Sequence, residues 1–178
     1  GIDFVELYGA TSGTYAPQTG TPISPFSNAD FENGSWANWF LTGTAFKSRP
    51  NEDNGNGQQG ARYLNTAMNG FSQTGTATST PFTAGNSLSF LMDAGNYPTL
   101  TYAALVLADG TEVLKTTGTA TYILHATTWD TTPYLGQTVR LRIVDNETGS
   151  DGYVMFDDVK VKYYARLHSV TDSLGRTV

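Results

Sequence analysis

The sequence predicts an all-β fold, a jelly-roll β-sandwich of two antiparallel sheets, and three observations carry that prediction. The composition is rich in Gly, Thr, Asn, Ser and Tyr and sparse in Lys, Arg, Glu and Leu, a balance that favours short strands and turns over helices. From Phe26 onward, brief apolar runs alternate with turn clusters at the spacing of a sandwich or barrel. Several runs also show a period of two, and no amphipathic helix of three turns can be drawn anywhere.

Taken in order, residues 1–25 read as a short strand (2–8) followed by a Gly/Thr/Pro-rich connector. Strands are then expected over 38–46, 61–64, 75–82, 87–93, 103–107, 112–117, 122–124, 138–144 and 153–164. In Val139-Arg140-Leu141-Arg142-Ile143 the apolar side chains share one face and both arginines take the other. Val159-Lys160-Val161-Lys162 repeats the pattern. Thr74, Thr76, Thr78 and Thr80 alternate with Gly75, Ala77 and Ser79, which suits a strand whose inner face packs close against another backbone. Asp109-Gly110 reads as a tight hairpin turn.

A chain of 178 residues suffices for one domain with a single core. It contains no cysteine, which excludes disulfides, thiolate chemistry and zinc–thiolate sites. The formal net charge of −6 argues against nucleic acid as the main partner. No apolar run approaches the ~20 residues of a membrane helix. The start at Gly1 rather than methionine suggests an excised or processed piece.

Two motifs carry a family resemblance. Asn28 to Phe46, NADFENGSWANWFLTGTAF, joins an acidic turn to a Trp-x-x-Trp strand, and Phe156-Asp157-Asp158-Val159 lies near the other end. Between them come Gly75 to Thr83, Leu88-Ser89-Phe90, Trp129-Asp130, Gly136-Gln137 and Ile143-Val144-Asp145. This order over residues 26–164 resembles galactose-binding-like β-sandwich modules, among them carbohydrate-binding modules and accessory domains of glycoside hydrolases. Some relatives carry Trp-Gly-His before the last strand, where this chain has Ser150-Asp151-Gly152-Tyr153. The final stretch, 165–178, resembles the opening of a YD (Rhs-type) repeat through Arg166-Leu167, Val170-Thr171-Asp172 and Leu174-Gly175-Arg176.

The resemblance implies that the first and last acidic motifs meet around a structural calcium. Calcium takes about six to eight hard oxygens, and the set offered is Asn28, Glu32, Asn51, Asp157 and Asp158. Asn51 belongs to an oxygen-rich loop, NEDNGNG. Asp157 is in phase with Val159 and Val161 and points inward unless a bulge intervenes. The other reading is that Glu32 and Asp157 satisfy backbone donors or meet an arginine, Arg49 or Arg62. Asp145 to Gly152 forms a second acidic loop, whose default is a solvated turn because it lacks EF-hand spacing.

Sugar rings stack their C–H faces on aromatics while polar side chains hold the hydroxyls. The expected contact set is Trp36, Tyr97, Trp129, Tyr153 and Arg62, with Trp39 in the core. The family uses both a sheet face and a loop rim for binding. Arg140, Arg142, Lys160 and Lys162 face outward and could meet an anionic glycan, although a solvated sheet face is the simpler reading.

Catalysis finds no support. No Gly-x-Ser-x-Gly, phosphate loop or His-Glu-x-x-His is present, His125 and His168 lie far apart, and the adjacent Asp157 and Asp158 cannot flank one bond. The expected function is therefore non-catalytic carbohydrate binding in an extracellular, secreted or surface-exposed bacterial protein, as part of a larger polypeptide. The alternative is a ligand-free spacer or assembly domain of a YD-repeat protein. An exposed Trp36, Tyr97 or Trp129 beside polar groups favours binding, and buried aromatics favour the spacer. An ice- or surface-adhesion role for the threonine row is discounted, since one row lacks a repeated flat array.

Overall fold

A computed structural model describes residues 20–164. The expected strand at 2–8 and the tail at 165–178 lie outside the described residues. Ten strands follow in chain order: β1 (Trp39–Gly43), β2 (Leu64–Asn65), β3 (Gly75–Ser79), β4 (Phe82–Thr83), β5 (Ser87–Ala94), β6 (Thr101–Leu107), β7 (Glu112–Thr116), β8 (His125–Asp130), β9 (Thr138–Asp145) and β10 (Val154–Lys162). The helical content is two short 3-10 turns, Thr66–Asn69 and Thr132–Tyr134. Among the described residues no helix is long and apolar enough to cross a membrane.

The strands form two sheets. The larger runs β1-β3-β9-β6-β7, with β4 also on β9, and the smaller runs β2-β10-β5-β8. All pairings are antiparallel. The inner faces enclose one main core that includes Phe31, Trp39, Leu88, Phe90, Leu105, Leu141, Ile143 and Phe156. Trp39 lies parallel to Phe31 at 5.0 Å and its indole N–H donates to the Asn28 carbonyl at 3.1 Å, the core role expected of it. Alternation along β3 and β9 is as read from the sequence. Ala77, Ser79, Val139, Leu141 and Ile143 are buried, while Thr76, Thr78, Arg140 and Arg142 take the opposite, partly exposed face.

Four features differ from expectation, each for a local reason. The run 75–82 breaks at Thr80-Pro81, where proline has no N–H for the ladder, and Phe82–Thr83 resumes as a separate strand. Residues 122–124 are loop, and the strand lies just after them at β8. That strand sits at the sheet edge with only Trp129 buried, so it lacks the apolar alternation of a core strand. Pairing begins inside the expected connector, since Ile23 exchanges backbone hydrogen bonds with Val161 at 2.9 and 2.8 Å.

The fourth difference concerns β10. A register shift separates Asp157 from Lys160, and Asp158 adopts φ 49°. Phe156 faces Met92 and Val161 faces Leu88, both pairs in the main core. Asp157 instead faces Leu91, which packs on a second cluster of Tyr63, Leu124, Tyr153 and Met155. The bulge thus turns Asp157 to the face opposite Val159 and Val161, against the in-phase expectation. It is nevertheless 0% exposed, because the loop ahead of β2 covers that face.

Candidate functional site

Three places on the molecule concentrate polar chemistry. The first is the junction of the two acidic motifs. Glu32 Oε1 accepts from the N–H groups of Ala61 and Arg62 at 2.9 and 2.7 Å. Asp157 accepts from Gln59 N–H at 2.8 Å and Asp158 N–H at 2.7 Å. Both carboxylates therefore grip one short segment, 59–62, and the two ends of the module meet there. Burial first, then the neighbouring Asp158 and Glu32 charges, push the Asp157 carboxyl up to about 8 against the hydrogen bonds it accepts. The other members of the expected metal set are placed differently. Asn28 spends its amide on the Ser35 and Ala37 carbonyls, at 3.0 and 2.9 Å, bracing the turn before β1. Asp158 pairs with Lys160 Nζ at 2.7 Å. Asn51 exchanges backbone hydrogen bonds with Tyr63, and its side-chain amide nitrogen is buried without a partner.

The expected sugar contacts separate in the structure. Trp36 is half-buried between Phe31 and Phe46, with its indole N–H on the Lys47 carbonyl at 2.9 Å. Trp129 is 8% exposed and packs edge-on against Phe90 at 4.8 Å. Arg62 is tied to Glu52 at 3.0 Å and to the Glu32 carbonyl. Tyr153 is fully buried. These four serve packing or loop anchoring, and their rings and guanidinium are turned to the protein; only Tyr97 stands in solvent, 36% exposed.

The second place lies at one end of the sandwich, where four loops converge. Its organising group is Asp93, the penultimate residue of β5, which is 0% exposed. Its carboxylate accepts from the backbone N–H of Thr119, Thr121 and Tyr122 at 2.9, 3.0 and 2.7 Å, and from the Tyr153 hydroxyl at 2.7 Å. Burial alone would raise this carboxyl. The donors from Thr119, Tyr153 and Tyr122 outweigh it and hold Asp93 below the usual carboxylate range, while the same burial and the Asp93 hydrogen bond push the Tyr153 hydroxyl up.

So latched, the 117–124 loop holds Ala120 and Tyr122 at φ 58°, a left-handed backbone that carries strain for a bulky residue. Gly118 makes this possible, because a Cβ there would sit 1.8 Å from the Ala94 nitrogen. Tyr122 is thereby laid flat on Tyr153, with ring centroids 4.3 Å apart and planes 12° off parallel. Tyr122 remains 38% exposed, beside Phe71 at 39%, whose ring meets it edge-on at 6.3 Å. The turn at Asp151-Gly152 adjoins both: burial first, then the nearby Asp151 charge, push the Tyr122 hydroxyl up, and Gly152 lies against the Phe71 carbonyl. Sequence reading missed Tyr122 and Phe71, because nothing local marks them as exposed; the signal is the Asp93 latch, a long-range contact.

Beside this end, Asp145 at the close of β9 is 1% exposed, and neither carboxyl oxygen has a hydrogen-bond partner. The Thr66 hydroxyl and Glu147 N–H approach closely enough to moderate its titration without forming bonds of normal geometry. Burial dominates and pushes it up to about 6. A folded value above the unfolded one means that stability is full below about pH 4 and is lost as pH rises towards 6. Asp145→Asn is therefore expected to stabilise the protein by ~2 kcal/mol at neutral pH, with little gain at pH 4. Urea melts of both proteins at the two pH values test this, and an equal shift at both would refute it.

The third place is the solvent face of the larger sheet. Thr42, Thr76, Thr78, Tyr102, Glu112 and Arg142 line an open groove of about 660 Å³ there. Arg142 and Lys115 both pair with Glu112, at 3.1 and 2.6 Å, and Lys115 also lies over the Tyr102 ring at 4.2 Å.

The fold class these features define is the antiparallel β-sandwich with a loop-built end. Among solved structures, the carbohydrate-binding module TmCBM61, determined in complex with β-1,4-galactotriose, matches 82% of this chain and 99% of its own length, with a TM-score of 0.52 and 17% identity. The K1 cleaved adhesin domain of Lys-gingipain from Porphyromonas gingivalis W83 matches 82% and 100%, with a TM-score of 0.52 and 19% identity. At such identities the likeness is one of fold. No family model matches the sequence. A putative glycosyl hydrolase of Aspergillus rugulosus, ecdE, is 30% identical over 128 residues, covering 68% of this chain. The chain spans only 18% of the length of that relative.

Proposed function

We propose that this chain is a non-catalytic carbohydrate-binding module of an extracellular protein, holding glycans by aromatic stacking and hydrogen bonds at its loop-built end. The observation that carries this reading is the Tyr122 platform: an exposed aromatic ring held in a strained backbone by a buried carboxylate. Such preorganisation lowers the entropy lost when a flat ligand stacks, and a pyranose presents an apolar C–H face to a ring of this kind. Phe71 flanks the platform, Asp151 adds a polar group at its edge, and Tyr97 stands exposed on an adjoining loop. The fold shared with a galactotriose-bound module and with an adhesin domain agrees with this reading, as does the partial likeness to a putative glycosyl hydrolase, which would place the module beside a catalytic domain.

A structural calcium at the Glu32–Asp157 junction belongs to the same proposal. The donor set fits in part. Two carboxylates from opposite ends of the module converge, and Asp157 is buried with no cationic side chain bonded to it. No third acidic or histidine side chain joins them among the described residues, so backbone carbonyls and the amide oxygens of the 51–57 loop would complete the shell. Such an ion would supply positive charge to the junction, and Glu32 and Asp157 would hold it while fastening segment 59–62.

A glycan array followed by calorimetry tests the binding claim. Tyr122→Ala is expected to weaken binding at least tenfold while leaving the melting temperature within a few degrees, and Phe71→Ala to weaken it less. Undiminished binding by both variants would remove the platform from the site, and a blank array for the unaltered protein would sink the reading itself.

A further inference from the structure

We infer that the Tyr122 platform takes an amino sugar, with the protonated amine of the pyranose resting over the ring face and Asp151 as its counter-charge. The inference rests on the carbohydrate-binding reading and names the ligand class for that same site. Two negative charges frame the platform. Below it, the buried Asp93 carboxylate accepts from the Tyr122 N–H and from the hydroxyl of Tyr153, the ring on which Tyr122 lies, both at 2.7 Å. Burial opposes ionisation of Asp93, but its donors outweigh burial and keep it charged. A charge held away from water is felt more strongly than one in solvent. At the rim stands Asp151: burial first, and then its charge, push the Tyr122 hydroxyl up.

The same turn reaches a second exposed ring. A Cβ on Gly95 would collide with the Asp151 carbonyl and stand 3.1 Å from the Tyr97 ring, so the Asp151 turn is flanked by Tyr97 on one side and Tyr122 on the other. Glu147 adds a further acid, its backbone carbonyl lying against Gly152 in that turn. No cation answers these groups: among the described residues, neither Asp151 nor Glu147 forms an ion pair. The lysines and arginines are committed elsewhere. Arg142 and Lys115 pair with Glu112 on the larger sheet, where Arg140 is held by the Ser79 carbonyl. Lys160 pairs with Asp158, Lys162 lies over the Tyr164 ring, and Arg62 pairs with Glu52. Lys47 and Arg49 belong to the recess at 47–52. An aromatic face attracts a cation through its quadrupole, more strongly where water is excluded. A uronate or sulfate would meet the charges of Asp93 and Asp151 with no cation to offset them. A neutral sugar would stack but leave the Asp151 carboxylate without a charged partner. A protonated amine engages the ring face and the carboxylate together.

The test is calorimetric binding of the whole chain to a chito-oligosaccharide with free amines and to its fully N-acetylated counterpart of equal length, in mildly acidic buffer at low and high salt. The two ligands share ring, linkage and stacking face and differ in charge. The unaltered protein is expected to bind the free-amine form about fivefold to tenfold more tightly, the gain that a cation over an aromatic ring supplies. That ratio should shrink as salt rises. Asp151→Asn is expected to bring the ratio of the two affinities towards one, and Tyr122→Ala to weaken both ligands. Asp109→Asn removes an equal charge from the β6–β7 hairpin, at the other end of the sandwich. It is expected to leave the ratio as it is, which separates local recognition from the general attraction of a polycation to an acidic chain. Thermal melts establish that the variants are folded. Equal or weaker binding of the free-amine form, with both ligands weakened by Tyr122→Ala, would overturn the inference and leave the carbohydrate-binding reading standing. A preference that survives Asp151→Asn, or that Asp109→Asn reduces as much, would also overturn it. Failure to bind either ligand would overturn the inference alone, and together with a blank glycan array it would overturn both.

Discussion

Asp93→Asn is expected to lower stability by about 3 kcal/mol or more and to abolish glycan binding together with it. The native carboxylate satisfies three backbone N–H groups and the Tyr153 hydroxyl in a fully buried site. An amide of the same shape turns a donor towards that donor set, and each buried group left unsatisfied costs ~1–3 kcal/mol. The 117–124 loop then has nothing to hold Ala120 and Tyr122 at positive φ, so the platform is lost even where the sandwich survives. The melting temperature should fall by about 10 °C, at roughly 2–4 °C per kcal/mol for a chain of this size. Tyr153→Phe, which removes a single donor and keeps the stacked ring, should cost only ~1 kcal/mol and preserve binding. The pH dependence has a definite sign. Asp93 is held below its ordinary value in the folded state, so its contribution is present above about pH 4 and lost as pH falls below that. An Asp93→Asn protein as stable as the unaltered one would mean that the latch is not what orders the loop.

Calcium should raise the melting temperature by about 5–10 °C, the shift corresponding to the ~2.7 kcal/mol gained at a hundredfold excess over the dissociation constant. Asp157→Asn is expected to abolish that shift. In chelator the same variant should be at least as stable as the unaltered protein, because it removes a buried carboxylate whose ionisation is opposed by burial and by Glu32 and Asp158. The two conditions therefore move the variant in opposite directions relative to the unaltered protein, a pattern that simple loss of packing would not produce. A calcium-induced shift that persists in both Asp157→Asn and Glu32→Ala would place the ion elsewhere.

Much of the sandwich is readable from local patterning. Val139 to Ile143 announces which face of β9 is buried because side chains alternate across a strand, and Asp109-Gly110 marks its hairpin because Gly110 takes φ 91° there. The break at Pro81 and the edge strand at 125–130 escaped reading for the same reason: both depend on which neighbour a strand has. A residue's type records its own preference and says little about whether another strand lies beside it. The sugar-contact set shows the limit most clearly. Trp129 and Tyr153 are conspicuous aromatics, one on edge strand β8 and one just ahead of β10, and both are turned into the protein. Tyr122 and Phe71 sit in unremarkable Thr/Ala/Gly and Asn/Gly contexts, and both stay exposed at the loop-built end.

Taken alone, the sequence determined the class of the fold, the alternation that builds its core, the central place of Trp39 and the pairing of an early with a late acidic motif. The first two follow from periodicity and from residue types whose burial preference is strong; the last two are what the resemblance to galactose-binding-like modules implies. Tertiary structure alone decided the direction of Asp157, which a one-residue bulge reversed, the grouping of Arg140 and Arg142 on β9 with Lys115 on β7 on either side of β6, and the latch from Asp93 to Tyr122. Each depends on residues 11 to 98 positions apart being brought within hydrogen-bonding or packing distance, and that proximity is a property of the register between strands, which no single segment encodes.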